Sequence, residues 1–235
     1  MNRKGEMLCA WTGPLCVLLF FIAWVALADW MPPPTPSMGA QEIAAMYQNR
    51  TGLIRAGMML MMYSGPLYGV FSAIITICML RMKGPTPAMA WGQLTAGTAT
   101  ILFLIIPAQL YGATVFRPDR PIDITQFGND LAWFQFDMVN STLITQYVLL
   151  GIAVLYDESV RPVFPRWFAF FNFWSALLLI PASMITYFKT GPFAWNGILG
   201  FYLGVVIFTL WCLVTFWLVR KNIMCHEDWV AEASR

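Results

Sequence analysis

Six apolar runs, at residues 8–28, 53–80, 88–115, 131–155, 167–188 and 195–219, fill most of the chain and leave it few ways to fold. A helix rises 1.5 Å per residue and roughly 20 apolar residues span the hydrocarbon of a bilayer. Each run is long enough to cross. With 59% of its 235 residues hydrophobic and 11% charged, the chain departs far from the roughly one-quarter charged composition of soluble domains. The expected fold is all-α: a single integral membrane domain over 1–235, with six transmembrane helices, an outward interfacial helix at 38–49 and a cytoplasmic tail at 220–235. The first run follows Arg3 and Lys4 and ends on Ala26-Leu27-Ala28, a signal-like arrangement. Its apolar stretch exceeds a typical signal core, so it is read as a retained helix.

Loop charges set the orientation. With the N-terminus cytoplasmic, that side carries Arg3, Lys4, Arg81, Lys83, Arg161, Arg166, Arg220, Lys221 and Arg235, against Arg50, Arg55, Arg117, Arg120 and Lys189 opposite. The excess favours both termini in the cytoplasm. The first outward loop opens with the proline-stiffened "MPPPTPS" and continues into "AQEIAAMYQ", where Ile43, Met46 and Tyr47 share a helical face opposite Gln41, Glu42, Gln48 and Asn49. That pattern predicts a short helix at the outer interface.

An internal echo links helices three and five. "IIPAQLYGATVFRPDRP" and "LIPASMITYFKTGP" both place Ile-Pro-Ala inside an apolar run, then a tyrosine, then a basic residue and a proline. The pattern is consistent with a duplicated helical hairpin, helices two with three and four with five, though proline-bearing membrane helices also resemble one another by chance. Pro14, Pro66, Pro107 and Pro181 fall inside spans and predict kinks. Gly200 with Gly204, and Gly92 with Ala96, are small residues four apart that permit close helix contact.

Asp137 is the principal site candidate. It sits among Trp133, Phe134, Phe136 and Met138, about 10 Å along a helix from Asp130. Asp130, Phe134, Asp137, Asn140, Ser141 and Ile144 recur at helical spacing as an inward-facing polar stripe, since an ionisable group at that depth turns from lipid. Three roles compete: an ion pair with Arg55, Arg117 or Lys189; a neutral acid in a proton relay; or contact with a polar group on a bound amphiphile. The candidate ligand-binding set is Asp137, Asn140, Arg55, Tyr63 and Tyr111. Tyr68, Tyr187, Gln93, Gln109, Gln146 and Asn172 either join such a cavity or hydrogen-bond between helices.

Other features point away from cofactors. Met58, Met59, Met61 and Met62 project around their helix and read as adaptable packing rather than a copper path. Cys9, Cys16, Cys78, Cys212 and Cys225 are scattered and behave as small hydrophobes. The single histidine, His226, cannot build a bis-imidazole haem or a His-rich metal centre. Neither metal nor cofactor is expected. The charge of +2 is dispersed, without the basic face that nucleic acid requires.

The layout, together with "AQEIAAMYQNRTGLIRAGMM" and "VFPRWFAFFNFWSALLLI", resembles families of small bacterial inner-membrane proteins that have no assigned activity. The resemblance implies topology and a bacterial inner-membrane setting only. The leading expectation is therefore a multi-pass protein that binds or transports a small apolar or amphiphilic molecule in a cavity near the outer face. The alternatives are a non-catalytic accessory subunit of a membrane complex, using the Gly200 and Gly204 face, and a membrane enzyme using Asp137 in proton chemistry. Expected partners are membrane lipid, a small apolar ligand and membrane proteins. The orientation is checked by labelling: a membrane-impermeant thiol reagent applied from outside should modify Ser37→Cys and leave Met82→Cys unmodified, and the reverse pattern overturns the loop-charge argument.

Overall fold

In the computed structural model the described residues are 3–233, with side chains described to Cys225, so the side chain of His226 lies outside the description. The described residues are helical and contain no strand, and six helical segments are long and apolar enough to cross a membrane. We call these spans one to six: Arg3–Leu27, Thr51–Leu80, Pro87–Phe116, Ile122–Leu155, Arg166–Thr186 and Ile198–Cys225. Helix α1 (Arg3–Phe21) runs into a π segment, Ile22–Leu27. Then follow α2 (Ala40–Asn49), α3 (Thr51–Leu80), α4 (Pro87–Thr100), α5 (Leu102–Phe116), α6 (Ile122–Asp137) and α7 (Asn140–Leu155). Helix α8 (Arg166–Leu179) ends in a 3-10 segment, Ile180–Thr186, and a π segment, Ile198–Tyr202, leads into α9 (Leu203–Ala233). The helix thus continues through most of the expected tail.

The spans close a ring in chain order. Span one packs on two, two on three, three on four, four on five, five on six, and six returns to one, with α3 also touching α9. Spans one and two pack closely, and two glycines explain it. A Cβ at Gly57 would lie 2.8 Å from the Ala23 carbonyl oxygen, and one at Gly13 would lie 2.8 Å from the Phe71 ring. Both positions admit only hydrogen without displacement.

The two ends of the bundle are built differently. At the end carrying the N-terminus, Arg81 donates to both Glu6 oxygens at 2.7 Å and to Asn222 Oδ1 at 2.8 Å, tying spans one, two and six together. At the opposite end, α2 is capped by Glu42, whose Oε2 accepts from the Gly39 amide at 2.9 Å. Its apolar face does not lie free. Ile43, Ala44 and Tyr47 are buried, and α2 packs on α6. The Tyr47 hydroxyl donates to Asn129 Oδ1 at 3.1 Å. Burial, and then the charge of Asp130, raise the Tyr47 phenol well above its ordinary range, so it remains a neutral donor. Span four accordingly starts nine residues before the apolar run, because Asn129 and its polar neighbours lower the hydropathy there while α2 covers them.

The echoed motifs adopt different geometry. Pro107 lies inside α5, whereas Pro181 stands at the start of the 3-10 segment of span five. Of the Gly200 and Gly204 pair, Gly200 is covered within the chain, since a Cβ on it would collide with the Ala194 carbonyl of the preceding loop.

Gly57→Ala is expected to destabilise the protein by about 1–3 kcal/mol, the usual cost of overpacking against a neighbour that cannot move. Gly112→Ala, where an added Cβ meets nothing within 4 Å, is the matched control. Thermal unfolding in detergent separates them, and equal melting temperatures would refute the close-contact argument.

Candidate functional site

Span four is broken at Met138 and Val139, between α6 and α7, although neither proline nor glycine stands there. The break ends α6 on Asp137 and restarts the helix on Asn140, so the two side chains enter one cavity from separate helices. The expected single polar stripe is therefore not continuous: Asp137 and Asn140 are buried, while Ser141 is exposed.

Asn140 is held by span five. Its Nδ2 donates to the Leu179 carbonyl and to Ser183 Oγ, each at 3.0 Å, and its Oδ1 accepts from the Ser183 hydroxyl at 3.2 Å. The amide therefore supplies the 3-10 segment with a partner for a carbonyl that regular helix would have bonded internally. Asn140 is a wall and a staple rather than a free ligand group. Ser183, two residues after Pro181, is the partner that sequence reasoning missed; a short hydroxyl just beyond a proline in a span was the available signal.

Asp137 has no such partner. It is 7% exposed, makes no ion pair, and its Oδ2 is without a hydrogen bond. The expected pairing with Arg55 is not formed. The Arg55 guanidinium donates instead to the carbonyls of Val115 at 3.2 Å and Phe116 at 2.8 Å, where it caps the C-terminal end of α5 and lies over the Phe116 ring. Arg117 and Lys189, the other expected cations, are exposed.

The cavity encloses about 50 Å³. Phe20, Phe103, Phe136, Phe201 and Phe208 supply the aromatic part of its wall, Leu143 and Leu179 add aliphatic surface, and span six contributes Val205, Gly200 and Gly204 beside its two phenylalanines. Asp137 is the one titratable residue in this lining. A Cβ on Gly204 would have only Leu179 Cδ2, at 4.0 Å, as neighbour, so the seam between spans five and six is open there. Compared with the roughly 150 Å³ of an apolar cavity that holds benzene, the enclosed part is small.

Of the remaining expected residues, Tyr63 does not reach this site. It is 63% exposed on the outside of α3, five residues and about 140° around the helix from the buried Tyr68. Tyr111 is fully buried in an adjoining aromatic cluster, its ring centroid 4.6 Å from Trp30 and 6.1 Å from Trp133, with its hydroxyl unpartnered. Gln109 and Tyr187 are exposed. Tyr68, Gln93, Gln146 and Asn172 are buried in interhelical hydrogen bonds: Tyr68 Oη to Gln146 Oε1 at 2.7 Å, Thr76 Oγ1 to Gln93 Oε1 at 2.8 Å, and Trp211 Nε1 to Asn172 Oδ1 at 2.8 Å. Gln146 also donates to Ser72 at 3.1 Å, beneath Gly97, where any Cβ would strike both groups.

Comparison with protein-family models, curated proteins and solved structures finds no match. The reading of the site accordingly rests on its own geometry.

Asn140 and Asp137 should respond oppositely to substitution. Asn140→Ala strips a buried carbonyl of its donor and is expected to cost about 1–3 kcal/mol. Asp137→Asn removes an unpaired acid and should leave stability unchanged or raise it. Thermal unfolding of both variants in the same detergent checks this, and a marked loss in Asp137→Asn would mean that the carboxyl is structurally paired.

Proposed function

We propose that this is a multi-pass membrane protein that binds, and carries across or within the bilayer, a small molecule with an apolar body and one polar group. Asp137 contacts the polar group, and the phenylalanine wall receives the apolar part. The observation that carries this reading is the unpartnered Asp137 carboxyl in a largely apolar cavity whose other polar side chain, Asn140, is already hydrogen-bonded. A buried acid inside a span is costly and rare, and it generally marks a ligand, ion or proton site. Breaks in spans around such a site are the arrangement transporters use to bring polar groups into the bilayer. Spans four, five and six all depart from α geometry near Asp137, at the Met138–Val139 break, at Ile180–Thr186 and at Ile198–Tyr202.

The loop charges and the resemblance support a bacterial inner membrane, with both termini cytoplasmic and the cavity nearer the outer face. Entry from the lipid through the seam at Gly204 fits an apolar cargo. The enzyme reading has little support at this site, because no second titratable group lines the cavity beside Asp137.

The test is native mass spectrometry of the protein extracted under mild conditions. A small molecule should be retained by the wild type and lost from Gly204→Leu, which plugs the seam, and from Asp137→Asn, with the melting temperature of the unliganded protein preserved. Stoichiometric co-purification of another membrane protein, with no small molecule retained, would favour the accessory-subunit reading.

A further inference from the structure

Resting on that reading, we propose that the polar group recognised at Asp137 is a cation: the ligand is a small organic amine, its ammonium head against the carboxylate and its apolar body along the phenylalanine wall. Four features of the cavity lead there. The first is that no cationic side chain among the described residues pairs with the acid. Both Nδ2 hydrogens of Asn140, the other polar side chain of the lining, are used by Leu179 and Ser183. Arg55 is engaged by the α5 carbonyls, Arg50 pairs with Asp29, and Arg81 pairs with Glu6 at the other end of the bundle.

The second feature is the wall. Five phenylalanines border the cavity, with centroids 5.0 Å apart for Phe103 and Phe136, 5.6 Å for Phe103 and Phe208, and 6.3 Å for Phe136 and Phe201. Aromatic faces attract a cation when it is desolvated, and they favour weakly hydrated organic cations. The third is what the wall lacks. Inorganic ions such as Ca²⁺ or Mg²⁺ require six or more oxygen ligands, and this lining offers side-chain oxygens from Asp137 and Asn140 alone. The fourth is size. About 50 Å³ accommodates an ammonium head, and the open side at Gly204 leaves the apolar remainder a path between spans five and six.

Full-length protein in phosphatidylcholine nanodiscs, titrated calorimetrically at neutral pH with phenylethylammonium and with its neutral near-isostere 2-phenylethanol, tests the inference. The ammonium should bind at least about tenfold tighter than the alcohol, the factor that corresponds to one charge-assisted contact. Asp137→Asn should erase that preference while leaving the alcohol's affinity unchanged, and Gly204→Leu should weaken both. Equal affinities in the wild type, with both lost in Gly204→Leu, overturn the cation assignment and leave the binding function standing. Binding of neither probe, or binding indifferent to Gly204→Leu, overturns both.

Discussion

A backbone carbonyl or amide that leaves a regular helix inside an apolar medium must find another partner, and this requirement governs the half of the molecule that bears α2. Spans one, three, four, five and six all depart from unbroken α-helix, and the π, 3-10 and broken segments of one, four, five and six cluster toward that end. Contacts from elsewhere in the chain brace several of these departures. In span one the π segment presents Ala23 to Gly57, and Trp24 donates to the Trp30 carbonyl at 3.0 Å. In span three the α4–α5 junction is bridged by Thr100, which bonds Ala96 in its own helix at 3.0 Å and Thr142 of span four at 2.9 Å. In span five the staple is Asn140. Trp195 Nε1 fastens the loop before span six to the Pro34 carbonyl at 2.8 Å.

The other half of the bundle solves its polar problem by pairing side chains. Tyr68, Ser72 and Thr76 follow one another at four-residue spacing along α3, so they share a face. They meet Gln146 and Gln93 from spans four and three. Such bonds are individually modest in a membrane protein, but they fix the rotation of each helix, because turning α3 by one residue would withdraw two donors, Tyr68 and Thr76, and one acceptor, Ser72, together. With Arg81 clamping spans one, two and six below, this half provides a rigid base for the irregular half. Phe208 stacks near Tyr68, with centroids 5.6 Å apart, and lines the cavity above, so the polar ladder is separated from Asp137 by an aromatic floor.

Spans were legible in the sequence because run length and hydropathy are local properties. The short helix was legible from its face, but its covering partner was not, since α6 hides its docking surface among polar residues that lower the apolar signal. Tyr63 could have been set aside from spacing, as its separation from Tyr68 puts the two on different faces of α3. Arg55 could not have been resolved, because its partners are main-chain carbonyls of another helix, and these leave no trace in residue identity. The break at Met138 and Val139 carries neither proline nor glycine, so its signal lies in tertiary contacts: Asn140 is held by Leu179 and Ser183 of span five. Asp137 itself was legible from cost, since an acid amid Trp133, Phe134 and Phe136 stands out wherever lipid is the solvent.

Stability does not account for Asp137. Asn140 supplies span five with its donors, the aromatic cluster fills the space toward α5, and the nearest expected cations are engaged or exposed. An apolar residue or an asparagine at 137 would bury the same surface without stranding an acid. The burden of an unpartnered buried carboxyl, with a typical desolvation penalty of about 1–3 kcal/mol or more for a charged group, is thus borne with no compensating contact within the described residues. Unsatisfied buried groups of this kind belong either to flaws or to places where a partner arrives from outside. The surrounding construction argues for the latter. Three spans abandon regular geometry close to this one side chain, Gly204 leaves space beside the wall, and the single adjacent amide is already committed elsewhere; on the proposed function, a ligand entering through the seam supplies the partner that the acid lacks.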